Sequence, residues 1–470
     1  MAGIVSYGAY VPPTRLAFAT LGGRPAKEGG PEKAVAWNDE DAVTMAVTAA
    51  INCLRGFDRG QVDGLLFACT TYPFGEKQGA ALLARCLDLP RQVRTADFGG
   101  SLRAGTNAFS AAVDAVKAGS AKRVLVVASD CRMGAPGSGL EANFGDGAVA
   151  LLVGEQDVIA RVDASYAVAD EIVDVWRKAG DAFVHTWEDR FVVQEGYTPQ
   201  LVDGVQGLLE KTGSQASDYA KLVLYAPDKR SHGGVVRKLR LAPEQVQDPL
   251  FGRLGNTGCS FALLQLAHVL ETAKPGEKLL VASYGDGAEA LALSTTDRLD
   301  KLDARRGVSW HLERRRSVAS YDHYLKARGL NTTEYDAVED PGLSATIHFR
   351  EREEDVSFAG QKCRSCGAVQ FPNQRVCETC FSKDAFERHR LSDKVGRVLT
   401  YTFDFFFPTP NPPTVVTICE IDGARVHLQL VNVAPEDVEL DMPVEFEFRR
   451  VHLSGGRPNY YWKATPLAGE

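Results

Sequence analysis

The tetrapeptide GDGA occurs twice, at 145–148 and 285–288, and each copy closes the same succession of patterns. Residues 106–130, TNAFSAAVDAVKAGSAKRVLVVASD, read as a helix, a glycine-containing turn and a buried strand. Residues 257–284, TGCSFALLQLAHVLETAKPGEKLLVASY, repeat that order with Pro275 and Gly276 in the turn. Another apolar run follows each GDGA, VALLVG in one case and EALALS in the other. Two copies in the same order predict a duplicated α/β unit; the alternative is coincidence in a chain rich in Ala and Gly.

That unit fills only part of 470 residues, so two or three domains are expected. From about residue 300 the texture changes. KLDARRGVSWHLERRRSVASYDHYLKARGL is charged and helical in part, and NTTEYDAVEDPGLSA has the composition of a linker. Residues 394–465 carry the short β-rich runs GRVLTYTFDFF, TVVTICEI, ARVHLQLV and PVEFEFRRV, broken at PTPNPP, Asp422-Gly423 and NVAPED. Such a series suits a small closed barrel of the OB type. The expected division is 1–165 and 166–310 for the two halves of the core and 311–355 for a helical linker. A zinc ribbon at 356–388 and a barrel at 389–470 complete it.

The ribbon rests on cysteine spacing. Of ten cysteines, five are scattered through the first 260 residues and Cys419 stands alone. The other four, Cys363, Cys366, Cys377 and Cys380, form C-x2-C-x10-C-x2-C. Two close pairs joined by a hairpin can converge on one tetrahedral zinc ion, and four thiolates leave no open position, so the metal is expected to be structural. Two disulfides are the alternative, disfavoured in a reducing compartment.

The net charge of −8 argues against a nucleic-acid partner, and VAPEDVELDMPVEFEF puts acids on the barrel's expected outer positions. Phe405, Phe406 and Phe407 could stack on bases or form a docking surface. No apolar run approaches the ~20 residues that cross a bilayer, and MAGIVSYGAYVPP lacks a signal-peptide pattern, so a cytoplasmic location with no membrane partner is expected.

GIVSYGAYVPPTRL, EDAVTMAV, RVLVVASDCRMGAPGSGLEANFGDGAVALLVG, VWRKAG, RLGNTGCS and SYGDGA resemble stretches of 3-hydroxy-3-methylglutaryl-CoA synthases, especially the archaeal type, within the thiolase superfamily. YDHYLKARGL, the cysteine pairs and the FP of VQFPNQ resemble the zinc-ribbon/OB domains that accompany thiolases and these synthases. The resemblance implies an α/β fold with a duplicated thiolase-like αβαβα core, followed by a rubredoxin-like zinc ribbon and an OB-fold barrel. It also implies a homodimer formed through the core, a coenzyme A thioester as substrate, and an active site at facing helix N-termini. A separate thiolase or dehydratase-type partner is a further possibility.

Carried over residue by residue, the resemblance exposes three exchanges. The family's acyl-accepting cysteine belongs at Leu102 of SLRAGT, and leucine forms no acyl-enzyme. Ser101 is the adjacent candidate nucleophile. The family's glutamate belongs at Thr70 of CTTYPFGEK, which cannot act as a base near neutral pH; Glu76 is expected on the following helix. The family's histidine belongs at Tyr225 of LYAPD, a hydrogen-bond donor and, at lowered pKa, a proton shuttle. His232 is an auxiliary acid/base candidate or a surface-loop histidine. Asn256 of GNTGC is retained and could hold a water or the thioester oxygen. Arg103 and Arg230 are the candidate substrate-binding cations, with a solvent-facing rim the alternative for Arg103. Three readings follow: aldol or retro-aldol chemistry on a β-hydroxyacyl-CoA without a covalent intermediate, a non-catalytic acyl-CoA-binding scaffold, and an acyltransferase using Cys69, Cys131 or Cys259.

Overall fold

Nine strands hydrogen-bond into one mixed sheet built from two matching halves. They are β1 (Gly3–Tyr10), β2 (Gly64–Ala68), β3 (Arg94–Phe98), β4 (Arg123–Asp130), β5 (Gly147–Gly154), β6 (Ala160–Ala169), β7 (Lys221–Leu224), β8 (Lys278–Tyr284) and β9 (Gly287–Thr295). Their spatial order is β7-β8-β9-β6-β1-β5-β4-β2-β3. In the first half β1 and β4 run antiparallel to β5, and β2 runs parallel to β4. In the second, β6 and β8 run antiparallel to β9, and β7 runs parallel to β8. The halves meet where Gly3 and Ile4 pair with Arg161 and Ala160. The duplication expected from the GDGA copies is therefore present strand for strand, with β3 added at one edge. The computed structural model describes residues 2–331, 344–407, 409–454 and 456–468, so most of the expected linker NTTEYDAVEDPGLSA lies outside the described residues.

Each half carries equivalent helices. Helix α1 (Ala42–Cys53) packs on β1 and β5, and α3 (Thr198–Thr212) packs on β6 and β9. Asp41 caps α1 by accepting from Val43 and Thr44 N–H, while the Thr44 hydroxyl receives the Asp41 N–H, which satisfies donors orphaned at the helix start. The central helices α2 (Ala104–Lys117) and α5 (Phe261–Leu270) touch each other. Phe109 and Val113 of α2 share an apolar cluster with Leu263 and Leu266 of α5 and Leu151 of β5. A second cluster joins α3, α4 (Lys229–Lys238), β7 and β8, and includes Leu102, Tyr225 and Phe261.

By contact the chain divides into one unit of 1–36, 41–84 and 89–321 and another of 37–40, 85–88 and 322–470. In the second unit β10 (Ala359–Cys363) pairs with β11 (Val369–Gln370) and β12 (Phe386–Arg390) to form the ribbon. Strands β13 (Gly396–Asp404), β14 (Thr414–Ile421), β15 (Ala424–Leu430), β16 (Pro443–Ser454) and β17 (Arg457–Pro466) close into a barrel in the order β13-β14-β15-β17-β16. Asp422 and Gly423, at φ 50° and 94°, form the two-residue turn between β14 and β15; positive φ at both centres suits the right-handed twist of the strands. Phe358 stacks on Trp462 at 5.6 Å and meets Phe446 edge-on, so ribbon and barrel share one aromatic core. The phenyl groups of Phe405 and Phe406 are exposed. No helix among the described residues is long and apolar enough to cross a membrane.

Candidate active site

The two GDGA copies cross over. A Cβ on Gly285 would lie 2.7 Å from Ser101 Oγ and 2.9 Å from Leu102 N, at the entrance to α2. A Cβ on Gly145 would lie 1.9 Å from Leu254 O, on the approach to α5. Each copy thus seats its first glycine against the chain entering the other copy's central helix, a closeness that any side chain would break. At the head of α2 the Ser101 hydroxyl donates to Gly285 O at 3.1 Å. The Arg103 guanidinium donates to the carbonyls of Gly285, Val168, Ala288 and Asp286. Arg103 is therefore a clamp on main-chain carbonyls, and its donors are directed there. Leu102 N–H has no acceptor among the described residues.

At the first copy's strand ends, Asp130 is fully buried and gathers the surrounding loops. Its carboxylate accepts from Thr70 N–H (2.7 Å), Thr71 N–H (3.0 Å), both threonine hydroxyls (2.9 and 3.0 Å) and Cys259 N–H (2.8 Å). Thr70 is consequently a tether whose proton is committed to Asp130. Cys69 and Cys259 sit in the same network. Burial, reinforced by the Asp130 charge, pushes both thiols well above the ordinary cysteine range, so neither is a thiolate at neutral pH.

A cavity of about 480 Å³ opens beside the second copy's strand ends, and Leu102, Arg132, Asp174, Tyr225, Asn256 and Tyr284 lie in its wall. Tyr225, just beyond β7, is 2% exposed. Asn256 Nδ2 donates to the Tyr225 phenol oxygen at 3.0 Å and to Ala226 O at 2.8 Å, while Asn256 Oδ1 accepts Gly258 N–H at 2.9 Å. Both amide donors are thus in use. Asn256 positions the phenol, in place of the expected contact with a thioester oxygen. Arg132, packed over the Phe144 ring at 4.3 Å, lies near enough for its positive charge to favour the ionised phenol. Burial raises the Tyr225 pKa, against the pull of Arg132 and Asn256, so the phenol keeps its proton at neutral pH.

The structure brings Tyr225, Asn256 and Leu102 together and leaves the other candidates elsewhere. Thr70, Ser101 and Arg103 hold the frame as described. His232 lies buried on α4, and the surface-loop reading is corrected; burial lowers its pKa, its Nε2 has no hydrogen-bond partner among the described residues, and it does not line the cavity. Arg230 is exposed in the first turn of α4. Glu76 is exposed in the loop before the helix Gly79–Cys86, a correction to its expected place on that helix. Asp130, Arg132 and Asp174 were not foreseen. The first two sit inside the stretch ASDCRM, where a carboxylate ends an otherwise apolar strand, and that break in pattern was the available signal.

In the ribbon, Cys363 Sγ and Cys380 Sγ are 3.7 Å apart, as are Cys366 Sγ and Cys377 Sγ, and all four sulfurs lie within 4.8 Å of one another. A tetrahedron with Zn–S bonds of about 2.3 Å has edges of about 3.8 Å, whereas a disulfide is about 2.05 Å long. The donor set fits zinc, and the disulfide alternative falls.

Comparison with known proteins bears on both units. Over 336 residues, covering 69% of this chain and 95% of the relative, the sequence is 31% identical to the hydroxymethylglutaryl-CoA synthase of Pyrococcus furiosus. The chain belongs to the hydroxymethylglutaryl-CoA synthase family. The synthase of Methanocaldococcus jannaschii is 30% identical over 342 residues, covering 70% of this chain and 99% of that relative. Among solved structures, an HMG-CoA synthase complexed with CoA superposes with a TM-score of 0.65 at 20% identity over 73% of this chain and 94% of that one. A 3-oxoacyl-(acyl carrier protein) synthase III from Pseudomonas aeruginosa gives 0.57 at 22% identity, covering 63% of this chain and 98% of that one. These likenesses show a thiolase-type fold. Residues 356–387 match the family described as ChsH2, rubredoxin-like zinc ribbon domain, in agreement with the sulfur geometry.

Among the described residues no cysteine lines the cavity, and Leu102 contributes only hydrocarbon to its wall. Its buried polar side chains include the Arg132 guanidinium, the Asp174 carboxyl, the Asn256 amide and the phenols of Tyr197, Tyr225 and Tyr284.

Proposed function

We propose that the first unit makes or breaks a carbon–carbon bond in a β-hydroxyacyl-CoA by aldol or retro-aldol chemistry, with no covalent acyl-enzyme. The observation that carries this reading is the Tyr225 phenol. Its oxygen already accepts from the buried Asn256 amide, with the Arg132 charge nearby, so its own O–H is left to donate toward the cavity. A donor held in place by a buried amide beside a guanidinium is suited to the charge that develops on an enolate oxygen. Family membership and the CoA complex of a fold neighbour support a CoA thioester as ligand. The raised thiols of Cys69 and Cys259, and their absence from the cavity wall, weigh against an acyltransferase built on either.

In the cleavage direction the thioester oxygen receives the Tyr225 hydrogen bond as the bond between C2 and C3 breaks and the C3 hydroxyl becomes a ketone or aldehyde. A panel of 3-hydroxyacyl-CoA thioesters, followed by mass spectrometry for a released carbonyl compound and a shortened acyl-CoA, tests the reaction. Tyr225→Phe retaining full turnover removes the role given to the phenol, and a covalent acyl adduct trapped on the chain refutes the mechanism. Binding of every thioester with turnover of none favours the scaffold reading.

A further inference from the structure

A phenol that keeps its proton is an acid, and the proposed reaction also needs a group to take the proton from the C3 hydroxyl. The synthase family's glutamate position holds Thr70, bound to Asp130 and outside the cavity wall. The candidates are the other titratable groups of the cavity. Asp228 is committed to capping α4, accepting from Arg230 N–H, Ser231 N–H and the Ser231 hydroxyl. Asp189 is exposed, and so is His185, which pairs with Asp181. Tyr197 donates its phenol proton to Tyr225 O at 2.7 Å. Asp174 and Tyr284 are left.

Resting on the function proposed above, we infer that Asp174 is the proton acceptor of this cavity, with the Tyr284 phenol beside it to hold the substrate hydroxyl. Asp174 is 8% exposed and Tyr284 3% exposed, and both line the cavity wall with Tyr225, whose ring centroid is 6.0 Å from that of Tyr284. The Tyr284 oxygen is buried and makes no hydrogen bond of ordinary geometry, so a polar group of the ligand can pair with it. Burial, with Asp286 adding to it, lifts the Asp174 carboxyl above the usual carboxylate range, while the Val175 N–H and the Tyr284 phenol oppose the rise. A carboxylate in such surroundings is a stronger base than a solvated one.

In cleavage, the Asp174 carboxylate takes the proton of the C3 hydroxyl, and the freed O–H electron pair becomes the second bond of the product carbonyl. The C2–C3 pair passes to the thioester enolate, whose oxygen is held by Tyr225. The proton on Asp174 then returns to C2, which gives the shortened acyl-CoA and restores the carboxylate. No other reactant is consumed.

The test compares wild type, Asp174→Asn and Asp174→Glu on the best-cleaved thioester of the panel, with binding of the matching acyl-CoA that lacks the 3-hydroxyl measured by calorimetry. The expected result for Asp174→Asn is a loss in kcat on the order of 100-fold or more, the lower range for a lost general base. Thioester binding stays within about threefold, the acidic limb of the wild-type pH–rate profile disappears, and Asp174→Glu regains part of the rate. Asp174→Asn keeping a third or more of kcat, or losing binding in parallel with rate, overturns the assignment while the wild-type reaction stands. A wild-type chain that binds thioesters and cleaves none overturns both readings.

Discussion

The strands LVVASD and LLVASY lead into the two GDGA strands, Asp130 pairing with Gly147 and Tyr284 with Ala288, yet these last residues have opposite fates. Asp130 is saturated by donors from its own half and by Cys259 N–H, and nothing of it reaches the cavity. Tyr284 lines the cavity with its phenol oxygen lacking an ordinary partner. The residues just past the neighbouring parallel strands repeat the contrast: Cys69 after β2 is in the Asp130 network, and Tyr225 after β7 lines the cavity. Duplication supplies two sets of strand ends, and here one set is tied into the frame while the other faces the cavity.

The largest effect that distinguishes the copies is expected at Asp130. Asp130→Ala removes the acceptor of three N–H donors, two of them half-buried and that of Cys259 fully buried, and is expected to remove about 3–5 kcal/mol of stability in urea unfolding. Tyr284→Phe, at the end of the other copy's strand, is expected to cost under about 1 kcal/mol because its hydroxyl has no ordinary bond to lose. Equal losses at the two positions would erase the contrast. Next comes turnover: Tyr225→Phe is expected to lower kcat about 100-fold, as removal of a preorganised donor does. Cys69→Ala is expected to leave kcat within about threefold, because the thiol takes no part in acid–base transfer. Thr70→Val deletes one hydroxyl hydrogen bond to Asp130, an expected cost of about 1 kcal/mol with turnover retained.

The smallest effect concerns pH. The folded-state pKa of Asp174 is raised, so the folded chain binds this proton more tightly than the unfolded chain, and stability falls as pH rises from the unfolded value through the folded one. Asp174→Asn is therefore expected to be slightly more stable than wild type at pH 7, with the difference shrinking as pH is lowered below the ordinary aspartate range. Thermal unfolding at several pH values checks this. A variant less stable at neutral pH would recast Asp174 as a structural partner.

The frame was legible because its signals are local. The helix–turn–strand order around Gly119 and around Pro275-Gly276, the spacing of Cys363 to Cys380 and the Asp422-Gly423 turn each lie within a short span of chain. Tyr225 and Asn256 could be nominated because each replaced or retained a residue within a motif. Asp130, Arg132 and Asp174 could not, since their meaning comes from what the sheet brings beside them: Asp130 meets Cys259 across 129 positions, and Arg132 and Tyr225 line one cavity from the two copies. Arg103 is a substrate-binding candidate by its place beside Leu102, and Asn256 a candidate by its place in GNTGC. Only the fold supplies the carbonyls at 168, 226, 285, 286 and 288 that use their donors.

The crossed seating of Gly145 and Gly285 limits how this molecule can be taken apart. Because each copy provides the floor on which the other's central helix begins, cutting the chain between β5 and β6 would yield two fragments that each lack a wall, with no self-sufficient half enzyme among them. Backbone adjustments in one copy are felt at once in the other, whereas a side chain at a strand end can be exchanged without disturbing the interlock. A scaffold so constrained leaves the side chains at its strand ends, such as Thr70 and Tyr225, as the places where substitution meets least resistance.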